Sequence, residues 1–156
     1  MIRVGQGFDL HPLAEGIPFK LGGIQLDFPK GPVGHSDGDV LLHALIDALL
    51  GAAGLGDIGE WFSPTDPAYA GADSQELLAT VLKKLSASII NVDATILLEN
   101  PKLGPYKAQI KAHVASLLNI PEAQVNIKAK TMEGLGEIGQ GEAVAAMVSV
   151  LIETSS

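Results

Sequence analysis

The stretch Ala143-Val144-Ala145-Ala146-Met147-Val148-Ser149-Val150-Leu151-Ile152 decides the fold. Small and β-branched apolar residues fill both alternating sets of positions, which is the pattern of a strand buried on both faces. We expect helices of the same chain, or another subunit, to cover these faces. The segment therefore predicts a central strand in a sheet that carries packed helices.

Strand and helix patterns alternate along the rest of the chain. The predicted strands cover residues 2–10, 18–21, 24–28, 90–98, 125–129 and 143–152, with Gly22-Gly23 as a hairpin turn. The predicted helices run over residues 39–50, over about 74–85 and from Pro105 onward. This order predicts a two-layer α+β fold, with a mixed β-sheet and helices on one face, as a single domain over residues 1–156.

The ends of the predicted helices carry recognisable signals. Ser36 or Asp37 is expected to cap the first helix, and Asp73 the second. The third helix is expected to turn Ile110, Val114 and Leu117 inward. Residues 51–72, which are rich in glycine, are expected to form a loop.

Composition limits the chemistry. The chain has 156 residues, a net charge of −8 and no cysteine, and Arg3 is its single arginine. This acidity argues against nucleic-acid and anionic-membrane binding, and the lack of cysteine excludes disulfides and thiolate ligands. No apolar run has the length of a membrane span, and no signal-peptide pattern follows Met1. We therefore expect a cytoplasmic protein.

Asp9 and His11 are candidate metal ligands, because two positions apart in a strand place both side chains on one face. His43, on the predicted first helix, is the candidate third ligand. One carboxylate and two imidazoles suit Zn²⁺ or a similar ion and leave a position open. Asp39 or Asp47 is expected to accept the free N–H of His43. The alternative is that Asp9 caps a turn and His43 is an ordinary helix residue.

Three further polar clusters are candidates for holding a phosphorylated substrate. His35 and Ser36 precede a helix N-terminus, where backbone N–H groups favour anions, although helix capping is the better explanation of Ser36, Asp37 and Asp39. Asp57 either accepts bonds from substrate hydroxyls or stabilises its glycine-rich loop. Residues 130–133, Lys-Thr-Met-Glu, combine a cation, a hydroxyl and an acid, and such a set can hold a phosphate and Mg²⁺.

Several motifs together resemble one enzyme family. They are GQGFDLH at 5–11, HSDGDV at 35–40, HAL at 43–45, DALLG at 47–51, LGDIG at 55–59, TDP at 65–67, GADS at 71–74, NVDAT at 91–95, PK at 101–102 and KAKTMEGLG at 128–136. In this order and spacing they make the chain similar to the 2-C-methyl-D-erythritol 2,4-cyclodiphosphate synthases, from residue 3 to about residue 151.

The resemblance implies a homotrimer with active sites at subunit interfaces and a step of the non-mevalonate isoprenoid pathway. In that reaction the 2-phosphate of 4-diphosphocytidyl-2-C-methyl-D-erythritol 2-phosphate attacks the β-phosphate, a cyclic diphosphate forms and CMP leaves. Zn²⁺ or a similar ion, and Mg²⁺ or Mn²⁺ between the substrate phosphates, would offset the repulsion of the phosphates. No general base is required, since the attacking phosphate is already ionised.

The resemblance also implies roles for individual residues. Asp9, His11 and His43 match zinc ligands, and Glu133 matches the acid on the phosphate-bridging ion. His35 and Thr131 match positions that stabilise the transition state, so they are the implied catalytic residues. The implied substrate-binding set is Asp9, His11, His35, Ser36, Asp57, Ile58, Gly59, Phe62, Thr65, Asp66, Leu98, Asn100, Pro101, Lys102, Leu103, Gly104, Lys130, Thr131, Met132 and Glu133.

Two parts of the chain depart from the family pattern. Family members often carry Phe-Pro-Asp-Thr-Asp in a loop that covers the substrate, whereas Pro64 here stands in place of the acid. Family members also often carry a Phe and an Arg, which line a cavity on the trimer axis that can hold a diphosphate-bearing lipid. Glu137 and Gln140 occupy these positions, so we expect that anion site to be weak or absent.

Two other functions remain compatible with the residues alone. One is a zinc-dependent hydrolase of a phosphate ester, in which metal-bound hydroxide attacks. The other is a non-enzymatic, metal-stabilised trimeric binding protein. Cyclisation adds no water to the product, so product mass separates the synthase from the hydrolase.

Overall fold

A sheet and a layer of helices on one of its faces form the protein, described here for residues 1–155 in a computed structural model. The strands are β1 Ile2–Glu15, β2 Phe19–Leu21, β3 Ile24–Leu26, β4 Lys30–Pro32, β5 Ala87–Leu97, β6 Val125–Lys130 and β7 Ala143–Thr154. Five of them pair in the order β4-β1-β7-β5-β6, and β2 and β3 form a separate hairpin. Because β5 and β6 are parallel and the other pairs antiparallel, the predicted mixed α+β arrangement is confirmed.

Residues 1–155 also contain five helices and two short 3₁₀ turns. They are α1 Val40–Ala53, α2 Ile58–Trp61, α3 Ser74–Lys84, α4 Lys107–Leu118 and α5 Gly136–Gly139, and the 3₁₀ turns are Pro67–Tyr69 and Glu122–Gln124. The predicted loop over residues 51–72 therefore begins later than expected, since α1 continues to Ala53, and it contains a short helix and a turn. Among the described residues, none of the helices combines the length and apolarity that crossing a membrane requires.

β7 lies at the centre of the sheet, between β1 and β5. Its helix-side residues, such as Val148 and Val150, are almost fully buried. On the other face Met147 is 40% exposed, so helices of this chain cover only one of the two apolar faces that the sequence predicts. The second face stays open around Met147 within the single chain, although Ala143 and Ala145 on the same face are buried.

Glycines in β1 bring helix α1 directly onto the sheet. A Cβ atom at Gly5 would lie 1.9 Å from the carbonyl oxygen of Ala48, and one at Gly7 would lie 1.8 Å from that of Ala44. No side chain fits at either position, so the helix backbone rests on the strand backbone. This close approach places the first turns of α1 beside the second half of β1.

The cap of α1 differs from the prediction. Asp39, and neither Ser36 nor Asp37, is the N-cap: its buried carboxylate accepts hydrogen bonds from the backbone N–H groups of Leu42, Gly22 and Gly23. Asp39 therefore ties the β2–β3 hairpin to the start of the helix. This long-range contact cannot be predicted from the local spacing of residues. Burial raises the pKa of Asp39, against the effect of the backbone hydrogen bonds.

The start and the inner face of α4 also differ from the prediction. The helix begins at Lys107, two residues after Pro105, because Tyr106 and Lys107 first form a turn on the carbonyl of Leu103. Its buried side chains include Ile110 and Val114, as predicted. Leu118 is buried in place of Leu117, which is only half-buried.

Candidate functional site

Asp9, His11 and His43 lie together as one cluster, which we call the ligand trio. The Asp9 Oδ2 atom is 2.9 Å from His11 Nε2 and 3.0 Å from His43 Nδ1. The two ring nitrogens are 3.2 Å apart. One oxygen and two nitrogens therefore converge on a volume small enough for one cation, which is the arrangement that the sequence predicts.

Two elements build the trio. Asp9 and His11 project from the helix side of β1, since the odd-numbered residues of this segment face α1 and Leu10 faces away. His43 comes from the first turn of α1, where it is only 8% exposed. The contact at Gly7 holds the helix close enough for the imidazole to reach the strand residues.

The electrostatics of the trio favour a cation. Burial alone raises the pKa of Asp9, but the hydrogen bonds and charges of His11 and His43 outweigh burial and lower the pKa to about 2. Burial lowers the pKa of His11, but its hydrogen bond and charge interaction with Asp9 reverse this, and the net result is a raised pKa. Without an ion, a proton supplies the positive charge that the carboxylate attracts. A divalent cation would displace that proton.

The outer hydrogen bonds of His43 are not those predicted. Its Nε2 atom lies 2.8 Å from Ser74 Oγ and 3.0 Å from Ser36 Oγ. Asp39 is occupied with capping, and Asp47 accepts a hydrogen bond from the backbone N–H of Ile58 at 2.7 Å. Both carboxylates are thus engaged by backbone donors, although a spacing of four residues puts them near His43 on the helix.

A cavity of about 220 Å³ opens beside the trio. It is lined by His11, His35, Ser36, His43, Ile58, Gly59, Phe62, Pro64, Tyr69 and Leu77. The structure thus places six of the predicted substrate-binding residues around one space, and two of the lining residues, His11 and His43, are predicted metal ligands. Tyr69 and Leu77 are not among the predicted residues: Tyr69 lies in the predicted loop, and Leu77 matches the apolar pattern of the second helix.

Three other predicted residues lie near this cavity without lining it. Asp57 caps α2, accepting from the backbone N–H of Glu60 at 2.9 Å, which fits the loop-stabilising alternative. Asp66 caps the following 3₁₀ turn through Ala68, and its carbonyl oxygen lies 3.0 Å from His35 Nε2. Thr65 hydrogen-bonds Ser63 at 3.0 Å.

A second group of predicted residues lies where the parallel strands β5 and β6 end. Leu98, Lys102, Leu103, Gly104, Lys130 and Thr131 line a cavity of about 250 Å³, together with Lys107 and Ala129. Lys130, Thr131, Met132 and Glu133 border an adjacent open groove. Asn100 and Pro101 lie in the same connection, joined by a cis peptide bond.

Within the part of the chain that the structure describes, the two groups line different cavities. Among the described residues, Glu133 does not join the ligand trio. The Glu99 carboxylate accepts from the Met132 backbone N–H at 3.1 Å, which ties the segment after β6 to the one after β5. The resemblance assigns the ligand trio and the residues after β5 and β6 to one site, but in the single chain they lie on separate surfaces.

The chain matches one protein family over nearly its whole length. The model of the YgbB family matches residues 2–153. A curated relative from Bordetella pertussis, named 2-C-methyl-D-erythritol 2,4-cyclodiphosphate synthase, is 54% identical over 153 residues, which are 96% of this chain and 94% of the relative.

Solved structures agree with the family match. The bifunctional IspDF from Campylobacter jejuni superposes with a TM-score of 0.95 and 41% identity over 100% of this chain, which spans 43% of that longer chain. A 2C-methyl-D-erythritol-2,4-cyclodiphosphate synthase in a CDP-bound form gives a TM-score of 0.89 and 37% identity. That alignment covers 97% of this chain and 100% of the other.

Proposed function

The chain belongs to the YgbB family, and on that premise we propose that it converts 4-diphosphocytidyl-2-C-methyl-D-erythritol 2-phosphate into 2-C-methyl-D-erythritol 2,4-cyclodiphosphate and CMP. This activity makes it a phosphorus–oxygen lyase of the non-mevalonate isoprenoid pathway. The convergence of Asp9, His11 and His43 beside an open cavity is the observation that carries the proposal. The family match favours this reaction over the hydrolase and over the non-enzymatic binding protein.

The donor set of the trio fits Zn²⁺ or a similar divalent cation. One carboxylate oxygen and two imidazole nitrogens all lie within 4.8 Å of one another, and three protein ligands leave a position for substrate. When bound, such an ion supplies Lewis acidity and positive charge to a phosphoryl oxygen. Without the ion, and against the effect of burial, His11 and His43 stabilise the negative charge of the Asp9 carboxylate, which lowers the pKa of Asp9.

The side chains around the cavity hold the reacting phosphates. Ser36 offers an O–H donor at the cavity wall, where negative charge builds up on the phosphoryl group. The Nε2–H group of His35 donates to the Asp66 carbonyl, so His35 would offer a second N–H group, at Nδ1, in its imidazolium form. Ile58, Gly59 and Phe62 give the cavity an apolar side that excludes water from the methylerythritol part. Holding the 2-phosphate beside the β-phosphate supplies proximity, and the ionised nucleophile needs no base.

The second group of residues binds the cytidine diphosphate end of the substrate. The carbons of Leu98 and Leu103 and the N–H groups around Gly104 offer a slot for a flat base. Lys130 and Thr131 supply a charge and a hydroxyl for phosphate oxygens, and we assign Thr131 a catalytic role with His35. Glu133 is the residue we expect to contact Mg²⁺ or Mn²⁺ held between the substrate phosphates.

We infer that the chain works as a homotrimer in which neighbouring subunits join the two groups into one site. The open face of the sheet is apolar: Val4 is 71% exposed, Phe8 55%, Leu10 47% and Met147 40%. A large exposed apolar patch of this kind is typical of a protein–protein interface. The separate cavities and the open face both support an interface site. The weak axial anion site implied by Glu137 and Gln140, and the cytoplasmic location, stay predictions.

Turnover of the diphosphocytidyl substrate with Mg²⁺ in ¹⁸O-labelled water tests this function. We expect CMP release, a cyclic product without ¹⁸O, and loss of activity when a chelator removes the metal. His43→Ala should lower kcat at least a hundredfold without unfolding the protein, while His113→Ala, a matched change at a helix histidine outside the cavity, should leave kcat within about twofold. Incorporation of ¹⁸O would assign a hydrolase, and activity in His43→Ala would contradict the metal-assisted mechanism.

A further inference from the structure

Ser74 and Asp37 form a hydrogen-bonded chain behind His43. We propose that this chain positions the histidine for metal binding by keeping its ring proton on Nε2, so that the Nδ1 lone pair faces Asp9 and His11. The inference rests on the proposed metal site and adds two residues to it. Neither belongs to the sets that the sequence or the resemblance assigned.

The chain is built into the start of α3. Ser74 is the first residue of that helix and is fully buried, and its Oγ atom is 2.8 Å from His43 Nε2. The Ser74 hydroxyl donates to Asp37 Oδ1. Asp37 also accepts from the backbone N–H groups of Ser74 at 3.0 Å and of Asp39 at 3.1 Å. Three donors thus converge on one carboxylate.

Counting protons fixes the direction of each bond. A carboxylate accepts only, and a serine hydroxyl has one proton, so a hydroxyl that donates to Asp37 can only accept from His43. The hydrogen on the His43 side of that contact must then be on Nε2. A neutral imidazole with its proton on Nε2 presents a lone pair at Nδ1, the atom that lies 3.0 Å from Asp9 and 3.2 Å from His11 Nε2.

Without this chain the opposite arrangement would compete. The Asp9 carboxylate attracts a proton to Nδ1, and a proton there blocks the atom that would bind the ion. The Ser74–Asp37 pair pulls the proton to the other side of the ring. It also gives the Nε2–H group a buried acceptor after an ion binds, when an unpaired N–H would be unfavourable.

Ser36 cannot replace Ser74 in this role. Its Oγ atom is 3.0 Å from the same Nε2 and accepts a long hydrogen bond, 3.5 Å, from the Gly38 backbone N–H. The hydroxyl lines the cavity, and within residues 1–155 no carboxylate accepts from it to fix the direction of its proton. A hydroxyl free to rotate accepts or donates equally well. Ser74, being buried and bonded to Asp37, is the partner that selects one tautomer.

Zinc affinity, measured by competition with a chromophoric chelator, tests the inference without relying on turnover. Ser74→Ala and Asp37→Asn should each weaken zinc binding by about tenfold to a hundredfold. The asparagine side chain has only one oxygen to accept from the three donors that now bond Asp37. An amide N–H group pointing at Ser74 Oγ would also turn the Ser74 hydroxyl around, so that it donates toward His43. Ser74→Thr, which keeps the hydroxyl, should bind zinc within about threefold of the wild-type affinity.

Two controls separate this role from helix stability. Asp73→Ala removes the exposed cap of the same helix, where Asp73 accepts from Gln75 N–H at 2.9 Å, and should leave zinc affinity unchanged. In zinc-loaded wild-type protein the His43 Nε2–H should give a slowly exchanging NMR signal, which Ser74→Ala should lose. The inference would be overturned, and the proposed metal site kept, if Ser74→Ala and Asp37→Asn bound zinc as tightly as wild type. The same holds if Asp73→Ala weakened zinc binding as much as those two variants do. A wild-type protein that binds no zinc would overturn the proposed metal site, and the inference with it.

Discussion

Asp9 and His11 share one charge interaction that makes the metal-free site sensitive to pH. The lowered pKa of Asp9 and the raised pKa of His11 describe this same interaction from its two ends, so its free energy is counted once. The Asp9 contribution is present above its usual pKa of 3.8 and is lost as the pH falls toward 2. The His11 contribution is complete below its usual pKa of 6.5 and is lost as the pH rises through the raised value.

At the residue scale we therefore predict a pH optimum for this contribution in metal-free protein, between about pH 4 and 6.5. His11→Gln should lower the free energy of unfolding by about 1–2 kcal/mol near pH 6, allowing for partial exposure of the pair, and the difference should shrink as the pH rises. Urea unfolding of chelator-treated wild type and variant measures it. A difference that grows with pH would contradict the assigned pKa shift of His11.

The sequence contains enough information to find the ligand trio, but not to find Ser74, which hydrogen-bonds His43 from behind. Asp9 and His11 follow from a period of two, and His43 stands out on the polar stripe of the first helix, four residues before Asp47. Ser74 could not be found this way, because a serine at the start of a helix has the same pattern whether or not it touches a histidine 31 residues away. Tertiary contact alone assigns it.

At the scale of elements, the contact between β1 and α1 sets the reach of His43. Gly7→Ala would put a Cβ atom 1.8 Å from the Ala44 carbonyl oxygen, so the helix must move away from the strand. We predict a loss of several kcal/mol of stability together with weaker zinc binding, measured by urea unfolding and chelator competition.

Gly51→Ala is the matched control, since Gly51 is exposed within α1 and a Cβ atom there meets nothing within 4 Å. Alanine favours a helix over glycine, so this variant should gain about 0.5–1 kcal/mol and keep its zinc affinity. A Gly7→Ala protein as stable as wild type would show that the two backbones are not in the close contact described.

Element types were predictable where periodicity was strong, and element ends were not. The apolar pattern of α1 and the alternation of β5 are local properties of the sequence. The cap by Asp39 depends on a hairpin 16 and 17 residues away, and the delayed start of α4 depends on a turn onto Leu103. β4, only three residues long, forms because it pairs with the end of β1.

At the scale of the whole molecule, the open sheet face predicts self-association. Phe8 and Met147 are paired neighbours on that face, and a carboxylate among them would be buried without a partner in an interface. Phe8→Asp should convert a trimer into monomers in sedimentation velocity and lower turnover, because each site would lose the residues of its neighbour.

Thr80→Asp adds the same charge to the exposed surface of α3 and should leave the trimer intact. Wild-type protein that sediments as a monomer would contradict the interface site. The homotrimer was implied by the resemblance, whereas the sequence itself indicated only that a second apolar face needs a cover.

Anomalous X-ray diffraction at the zinc edge, from crystals grown with zinc, tests the central claim most directly. The account predicts one peak per chain, about 2.0–2.2 Å from Asp9 Oδ2, His11 Nε2 and His43 Nδ1, with a fourth position open toward the cavity. No peak among these three atoms, or binding through His43 Nε2, would contradict it.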